Sequence, residues 1–279
     1  MKNEKQSSPT RKAVVFLAWG ERYLWEVDHC IRQSKEFLEE FDIVLITDRH
    51  SDVQPIEQHF SQIIRSDFKA EGLLRKTELL DALERQDYQV YLFLDSDTVV
   101  LGDISLGFEK AHQFGLALAP APHYSLDAFW GFGDVMVEQG TPPKGQCQYN
   151  SGVIFFSPKP EVKMVFREWQ QLAAKYGHIL NNDQPFFTLA MEQVGFNPYT
   201  LSISFNYRGF GDAISGDVRI WHSHGMPPEN INDYDVAWPP RRAWPGYVEH
   251  PKPSYRSAKT KLRAALSRAK NSVLRRIRS

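Results

Sequence analysis

The chain has 279 residues, 42% of them hydrophobic and 13% aromatic, which excludes disorder for its body and suits one large α/β domain or two small ones. Formal net charge is −1, yet residues 251–279 carry ten Lys or Arg and no Asp or Glu, leaving 23 basic against 34 acidic residues before them, a balance of −11. An acidic body with a basic tail assigns an anionic partner to the tail and speaks against nucleic-acid binding by the body.

Residues 1–12 are polar and read as a disordered lead-in without the apolar core of a signal peptide. No apolar run reaches the length of a membrane span, and Cys30 and Cys147 are too few for a disulfide framework, so a cytosolic chain with reduced thiols is expected. Ala13 to Ala18 predicts a buried strand, and Glu21 to Glu40 a helix with Leu24, Val27, Ile31, Ser34, Phe37 and Leu38 at helical spacing. Asp42 to Asp48 predicts a second strand and Ile63-Ile64 a short third. Leu73 to Leu83 predicts a helix that feeds a fourth buried strand, which starts at Tyr91 and runs out at Asp95 and Asp97 before the chain turns apolar again at Val99-Val100. Phe114 to Ala119 is another strand, followed by an irregular stretch from Pro120 to Tyr149, and Gly152 to Ser157 returns to the sheet. Two helices follow, one with Val162, Val165, Phe166, Trp169 and Ala173 as its inner stripe, the other from Gln184 to Val194 with Asn182 or Asp183 as N-cap. Asp217 to Trp221 is a late strand, and Pro227 to Pro253 a wrapping segment without regular structure. Alternation of this kind predicts an α/β fold with a mostly parallel central sheet.

The candidate chemistry sits where the fourth strand runs out, at Asp95-Ser96-Asp97. Open α/β sheets hold their ligands at the C-terminal strand edge. Residues at i and i+2 of an extended chain share a side, so Asp95 and Asp97 are expected to share one divalent cation if strand geometry persists. Carboxylate oxygens suit manganese or magnesium, usually with phosphate oxygens. A turn or cap made of Asp and Ser is the alternative.

Four motifs in order carry a resemblance: Asp95-Ser96-Asp97 preceded by Arg75-Lys76, then Asn150-Ser151-Gly152-Val153 entering a strand, Asp183-Gln184 opening a helix, and His222-Ser223-His224-Gly225 as an HxxG. In these the chain resembles nucleotide-sugar-dependent glycosyltransferases of the GT-A fold, more specifically family 8, the glycogenin and bacterial lipopolysaccharide glycosyltransferase group. The resemblance implies that Asp95, Asp97 and His222 hold manganese, with His224 as an alternative ligand. It implies a nucleotide sugar donor, normally UDP-linked, bound by Ala18, Trp19, Tyr23, Lys76, Ser96 and Gly225 besides the metal ligands. Asn150, Asp183 and Gln184 would line the donor sugar as the catalytic group, and transfer would retain anomeric configuration. The chain departs from the family after the HxxG, where Met226-Pro227-Pro228-Glu229 stands in place of a lysine-bearing segment. Arg241, Arg242 or Lys252 would then supply the phosphate contact.

Residues 13–250 are expected to form the transferase domain and 251–279 a basic tail. Lys259 to Ser279 reads as an amphipathic helix with Leu262, Ala265, Leu266, Ala269, Val273 and Ile277 on one face, suited to an anionic membrane surface. Its rivals are a coiled helix in an oligomer and nucleic-acid contact. Similar tails in lipooligosaccharide galactosyltransferases favour a glycan or glycolipid acceptor reached by a cytoplasmic, peripherally membrane-bound enzyme. The segment 120–149, with Phe129, Trp130 and Phe132, is the candidate acceptor loop. Rival functions are an inverting transferase, a haloacid-dehalogenase-type phosphatase with Asp95 as nucleophile, and a nucleotide-sugar-binding protein without turnover.

Overall fold

The computed structural model of the chain describes residues 10–208, 213–215, 217–222 and 247–249, with residues 122–124, 213–215 and 247–249 described by backbone alone. Its elements in order begin with β1 (Lys12–Leu17), α1 (Gly20–Gln33), α2 (Lys35–Leu38), β2 (Asp42–Thr47), a 3-10 turn (Gln54–His59) and β3 (Gln62–Arg65). A 3-10 segment (Gly72–Glu78), α3 (Leu79–Ala82), β4 (Val90–Leu94), β5 (Thr98–Val100), α4 (Ser105–Phe114), β6 (Leu116–Ser125) and α5 (Gly133–Glu138) follow. The remainder comprises β7 (Cys147–Phe156), α6 (Pro160–Tyr176), α7 (Gln184–Val194), β8 (Tyr199–Thr200), a 3-10 turn (Ile203–Phe205), β9 (Ala213–Ser215), β10 (Ile220–His222) and β11 (Tyr247–Glu249).

The chain divides into two units, one of Met1–Arg208 with Gly216–Ile231, the other of Gly209–Ser215 with Asn232–Ser279. In the second unit β9 pairs antiparallel with β11, Ala213 opposite Glu249. The stretch 227–253, expected to lack regular structure, therefore contains a short strand. The predicted tail helix 259–279 lies outside the described residues.

The first unit is built on a seven-stranded sheet in the order β3-β2-β1-β4-β7-β6-β8. β1 to β4 are mutually parallel, β7 runs against both β4 and β6, and β8 is parallel to β6. The expected mostly parallel sheet is observed, with β7 as its one reversed strand. Its centre is apolar on both faces because helices cover both. Ala13 and Val15 of β1 and Tyr91 and Phe93 of β4 pack with Phe166, Trp169, Phe186 and Phe187 of α6 and α7. The alternate residues Val14, Phe16, Leu92 and Leu94 pack with Leu24, Val27, Phe108 and Ala111 of α1 and α4. Each of these large side chains contributes about 1.5–3 kcal/mol by leaving water. At Gly107 a Cβ would stand 2.4 Å from the Phe155 ring, so α4 lies directly on β7 only because that position carries no side chain.

Several predicted elements are cut shorter or re-formed. The helix predicted over 21–40 ends at Gln33, where Ser34 (φ −95°, ψ 4°) breaks the spiral and α2 restarts it. The Ser34 hydroxyl accepts the Val100 N–H at 2.8 Å, so a side chain in the break secures β5. The predicted helix 73–83 opens as a 3-10 segment and becomes α-helical only at Leu79. The irregular stretch 120–149 contracts to 126–146, since β6 runs on to Ser125 and β7 starts at Cys147. That stretch encloses α5 and is closed by Leu126 N–H donating to Gln146 O at 2.9 Å. Phe129 and Phe132 are buried, whereas Trp130 between them is 79% exposed with φ +51°. No described helix is long and apolar enough to cross a membrane.

Candidate active site

Strand geometry does not persist through Asp95-Ser96-Asp97, so of the two readings open from sequence the turn is the one observed. β4 ends at Leu94, and a turn closes when the Thr98 N–H and hydroxyl both donate to Asp95 O, at 3.2 and 2.8 Å. A turn brings the two carboxylates together, rather than a pleat. Beyond it β5 leaves the main sheet and pairs antiparallel with β10, Thr98 opposite His222. That pairing carries the imidazole to the acidic pair. His222 Nε2 lies 3.3 Å from Asp97 Oδ1 and 3.7 Å from Asp95 Oδ2. One ligand atom from each of Asp95, Asp97 and His222 falls within 4.8 Å of the other two.

The surroundings of this triad are polar and buried. His222 Nδ1 is 2.8 Å from Asn206 Oδ1, Asn206 Nδ2 donates to Asn150 Oδ1 at 2.8 Å, and that same oxygen accepts the Gly152 N–H at 2.8 Å. Burial pushes the His222 pKa well below its ordinary value, the nearby Arg208 charge adds to this, and the imidazole is neutral at pH 7. Neutral imidazole is the form that binds metals. The Asp95 N–H donates to Gly152 O at 2.8 Å, tying the end of β4 to β7. A Cβ at Gly152 would lie 2.1 Å from His222 Cε1 and 2.7 Å from Asp95 Oδ2, so the cradle exists because this wall has no side chain. The β6 and β7 ladder shifts register between Leu118 and Pro120, the kind of bulge that re-aims side chains beside a site.

Lys76 joins this cluster from the 3-10 segment, buried to 5% exposure. Its Nζ is 2.7 Å from Asp95 Oδ1 and 3.5 Å from Asp183 Oδ2, and it donates to Ser151 O at 3.3 Å. Burial works against the ammonium, but Asp183, Asp95 and Asp97 outweigh it and hold the Lys76 pKa above the ordinary value. Burial pushes Asp183 up, and Lys76 opposes that rise. Asp95, Asp97 and Asp183 thus crowd around the one Lys76 ammonium, with the Arg208 charge also near His222. Two carboxylates and a neutral imidazole, brought together by the close approach of His222 and Asp95 to Gly152, form a donor set that could hold a divalent metal ion.

The other predicted site residues fall into two groups. Asp183 stands at the start of α7 without capping it; Asn182 Oδ1 accepts the Gln184 N–H at 3.0 Å instead. Asn150 is buried, and its Nδ2 has no hydrogen-bond partner among the described residues. The Gln184 amide donates to Gln148 Oε1, and the Ser96 hydroxyl donates to the buried Glu26 at 2.7 Å. Ser96 therefore anchors the acidic turn to α1. Ala18, Trp19 and Tyr23 lie beyond the end of β1, whose pairing with β4, Phe16 opposite Leu94, puts them on the same sheet edge. Trp19 packs against Tyr23 and Phe68 at 5.5 and 6.5 Å, with the Arg75 guanidinium 4.5 Å from its ring. Arg75 also pairs with Asp48 at 3.3 Å. His224, Gly225, Arg241, Arg242 and Lys252 lie outside the described residues. Asn206, Glu26, Gln148, Asp48 and Phe68 belong to this region and were not singled out from sequence. Only Asp48 carried a signal, as the acidic residue closing an apolar strand.

A family model described as nucleotide-diphospho-sugar transferase matches residues 54–211. Among solved structures the chain is similar to the apo WbbM bifunctional glycosyltransferase, with a TM-score of 0.52 and 14% identity over 78% of this chain and 46% of that one. It is similar also to the glycosyltransferase GlyE of Streptococcus pneumoniae TIGR4, with a TM-score of 0.50 and 18% identity over 72% of this chain and 47% of that one. At these identities the likeness is one of fold, and the chain spans under half the length of either protein. No curated protein sequence matches it.

Proposed function

The chain belongs to the nucleotide-diphospho-sugar transferase family, and from that membership we propose that it moves a sugar from a UDP-linked donor to a glycan or glycolipid acceptor, in the manner of glycosyltransferase family 8. The observation that carries this reading is the meeting of Asp95, Asp97 and His222 at the ligand edge of the sheet, with Lys76 and Asp183 against them. A divalent ion bound there would neutralise charge on the departing nucleoside diphosphate. Lys76 holds Asp95 and Asp183 in place and brings a fixed positive charge to the same cleft. The unspent Nδ2 of Asn150 is a donor for a hydroxyl of the bound sugar, since a buried N–H without a partner costs about 1–3 kcal/mol until a ligand accepts from it. Trp19, Tyr23 and Arg75 supply flat faces for the base. Asp183 and Gln184 stand on the sugar side, and retention of configuration follows from the family reading. Trp130 serves the acceptor side, and the basic tail 259–279 holds the enzyme on an anionic membrane surface.

Thermal denaturation with manganese, with UDP and with both tests the reading. The expected result is a rise in Tm for the pair larger than either alone, followed by metal-dependent hydrolysis of a UDP-sugar without acceptor. No shift with any nucleoside diphosphate and metal sinks it.

A further inference from the structure

We propose that Asn206 is a positioning residue of the metal centre, fixing His222 as the tautomer whose Nε2 lone pair faces Asp95 and Asp97. The argument starts from a group with no choice. The Gly152 backbone N–H can only donate, and its acceptor at 2.8 Å is the Asn150 side chain, which must therefore present its oxygen. Asn206 lies 2.8 Å from that same oxygen and so presents its NH2 group there. A planar amide with its nitrogen turned to Asn150 turns its oxygen the other way, onto His222 Nδ1 at 2.8 Å. An amide oxygen only accepts, so Nδ1 carries the hydrogen. A neutral imidazole has one N–H, which leaves the lone pair on Nε2, 3.3 Å from Asp97 Oδ1 and 3.7 Å from Asp95 Oδ2.

Without Asn206 the balance would run the other way. Two carboxylates beside Nε2 attract a hydrogen onto it, and an imidazole that donates to Asp97 has no lone pair for an ion. Asn206 supplies the opposing pull at the far nitrogen. Its own place is secured by backbone: it is buried, its N–H donates to Ile203 O at 3.0 Å, and the next residue is laced to β10 by Tyr207 N–H to Ile220 O at 2.9 Å and His222 N–H to Tyr207 O at 2.8 Å. Groups that orient a metal-binding histidine through its other nitrogen are typically worth 10–100-fold in metal affinity.

This inference rests on the metal reading of the site, and the experiment separates the two. Nitrogen-15 NMR of the metal-free full chain at pH 8, with His222 assigned by its loss in His222→Gln, reads the tautomer directly. The expected signal is Nδ1–H in the natural chain and Nε2–H in Asn206→Leu. Titration calorimetry with manganese should show affinity about 10–100-fold weaker in Asn206→Leu and largely recovered in Asn206→Asp, which keeps an acceptor facing Nδ1. An Nε2–H signal in the natural chain that binds manganese tightly overturns the inference alone, as does unchanged affinity in a folded Asn206→Leu. A natural chain with Nδ1–H that takes up neither manganese nor magnesium overturns the metal reading and this inference with it. Should Asn206→Leu fail to fold, the tautomer of the natural chain and the affinity of Asn206→Asp decide the matter.

Discussion

A methyl group at position 152 would sit 2.1 Å from His222 Cε1 and 2.7 Å from Asp95 Oδ2, inside the space where an ion and its ligands must meet. Gly152→Ala is therefore expected to weaken manganese binding more than tenfold, since 1.4 kcal/mol of displaced ligand geometry suffices for that factor. Calorimetry checks it, and affinity equal to that of the natural chain would show that the cradle lies elsewhere. A second expectation concerns acid. Burial pushes the Asp48 carboxyl up, but hydrogen bonds from the Ser51 hydroxyl, the Ser51 and His50 N–H groups and Arg75 outweigh it and hold it below its ordinary 3.8. A carboxyl lowered on folding stabilises fully above its unfolded pKa and loses that contribution as pH falls through the depressed value. Asp48→Asn should thus be less stable than the natural chain at pH 6, with the difference shrinking as pH falls below 3.8, read from urea denaturation across that range. At this scale motif order singled out Asp95, Asp97, Asp183 and His222, and the structure brings Asp95, Asp97 and His222 together with Asp183 linked to Asp95 through Lys76. Asn206 was not: its partner Asn150 lies 56 positions away, and a lone asparagine carries no spacing signature.

Among elements, the loop 126–146 concentrates the least economical geometry in the described chain. Trp130 is the one described non-glycine residue with positive φ, and it presents an indole to water between two buried phenylalanines. Such strain costs about 1–3 kcal/mol and tends to mark ligand contacts. Trp130→Ala should raise the acceptor KM about tenfold, the worth of roughly 1.4 kcal/mol of aromatic contact, without moving the donor KM. Equal acceptor KM values would return the loop to plain surface. β4 and α6 were readable from periodicity, since they carry uninterrupted apolar patterns, whereas α4, β8, β9 and β11 were not read from the sequence. Nor was the break between α1 and α2. Ser34 looks like one more polar position on a helix, and only its bond to Val100 explains why the helix stops there. The turn at Asp95 was one of two readings of its sequence, because the flanking strands are both fully buried and leave only Asp and Ser as a turn signal.

For the molecule as a whole, sequence told of layers but not of direction. Apolar runs mark β4 and β7 alike, and nothing in them says that β7 runs against its neighbours. The charge division was fully legible, and it makes the last prediction. Removing residues 259–279, which hold eight of the basic side chains, should release the protein from anionic vesicles in a sedimentation assay. Each basic residue near such a surface contributes about 1 kcal/mol, so equal binding by the shortened chain would refute a membrane role for the tail. The main sheet is complete at Thr200, whereas His222 stands on a separate pair of short strands. Translation delivers the lysine and its aspartates first and the imidazole much later. A chain ending between residues 201 and 221 would contain every strand of the large sheet together with Lys76, Asp95 and Asp183, and would lack the imidazole. Premature termination in that window would leave Asp95 and Asp97 without the imidazole beside them and β5 without its partner strand.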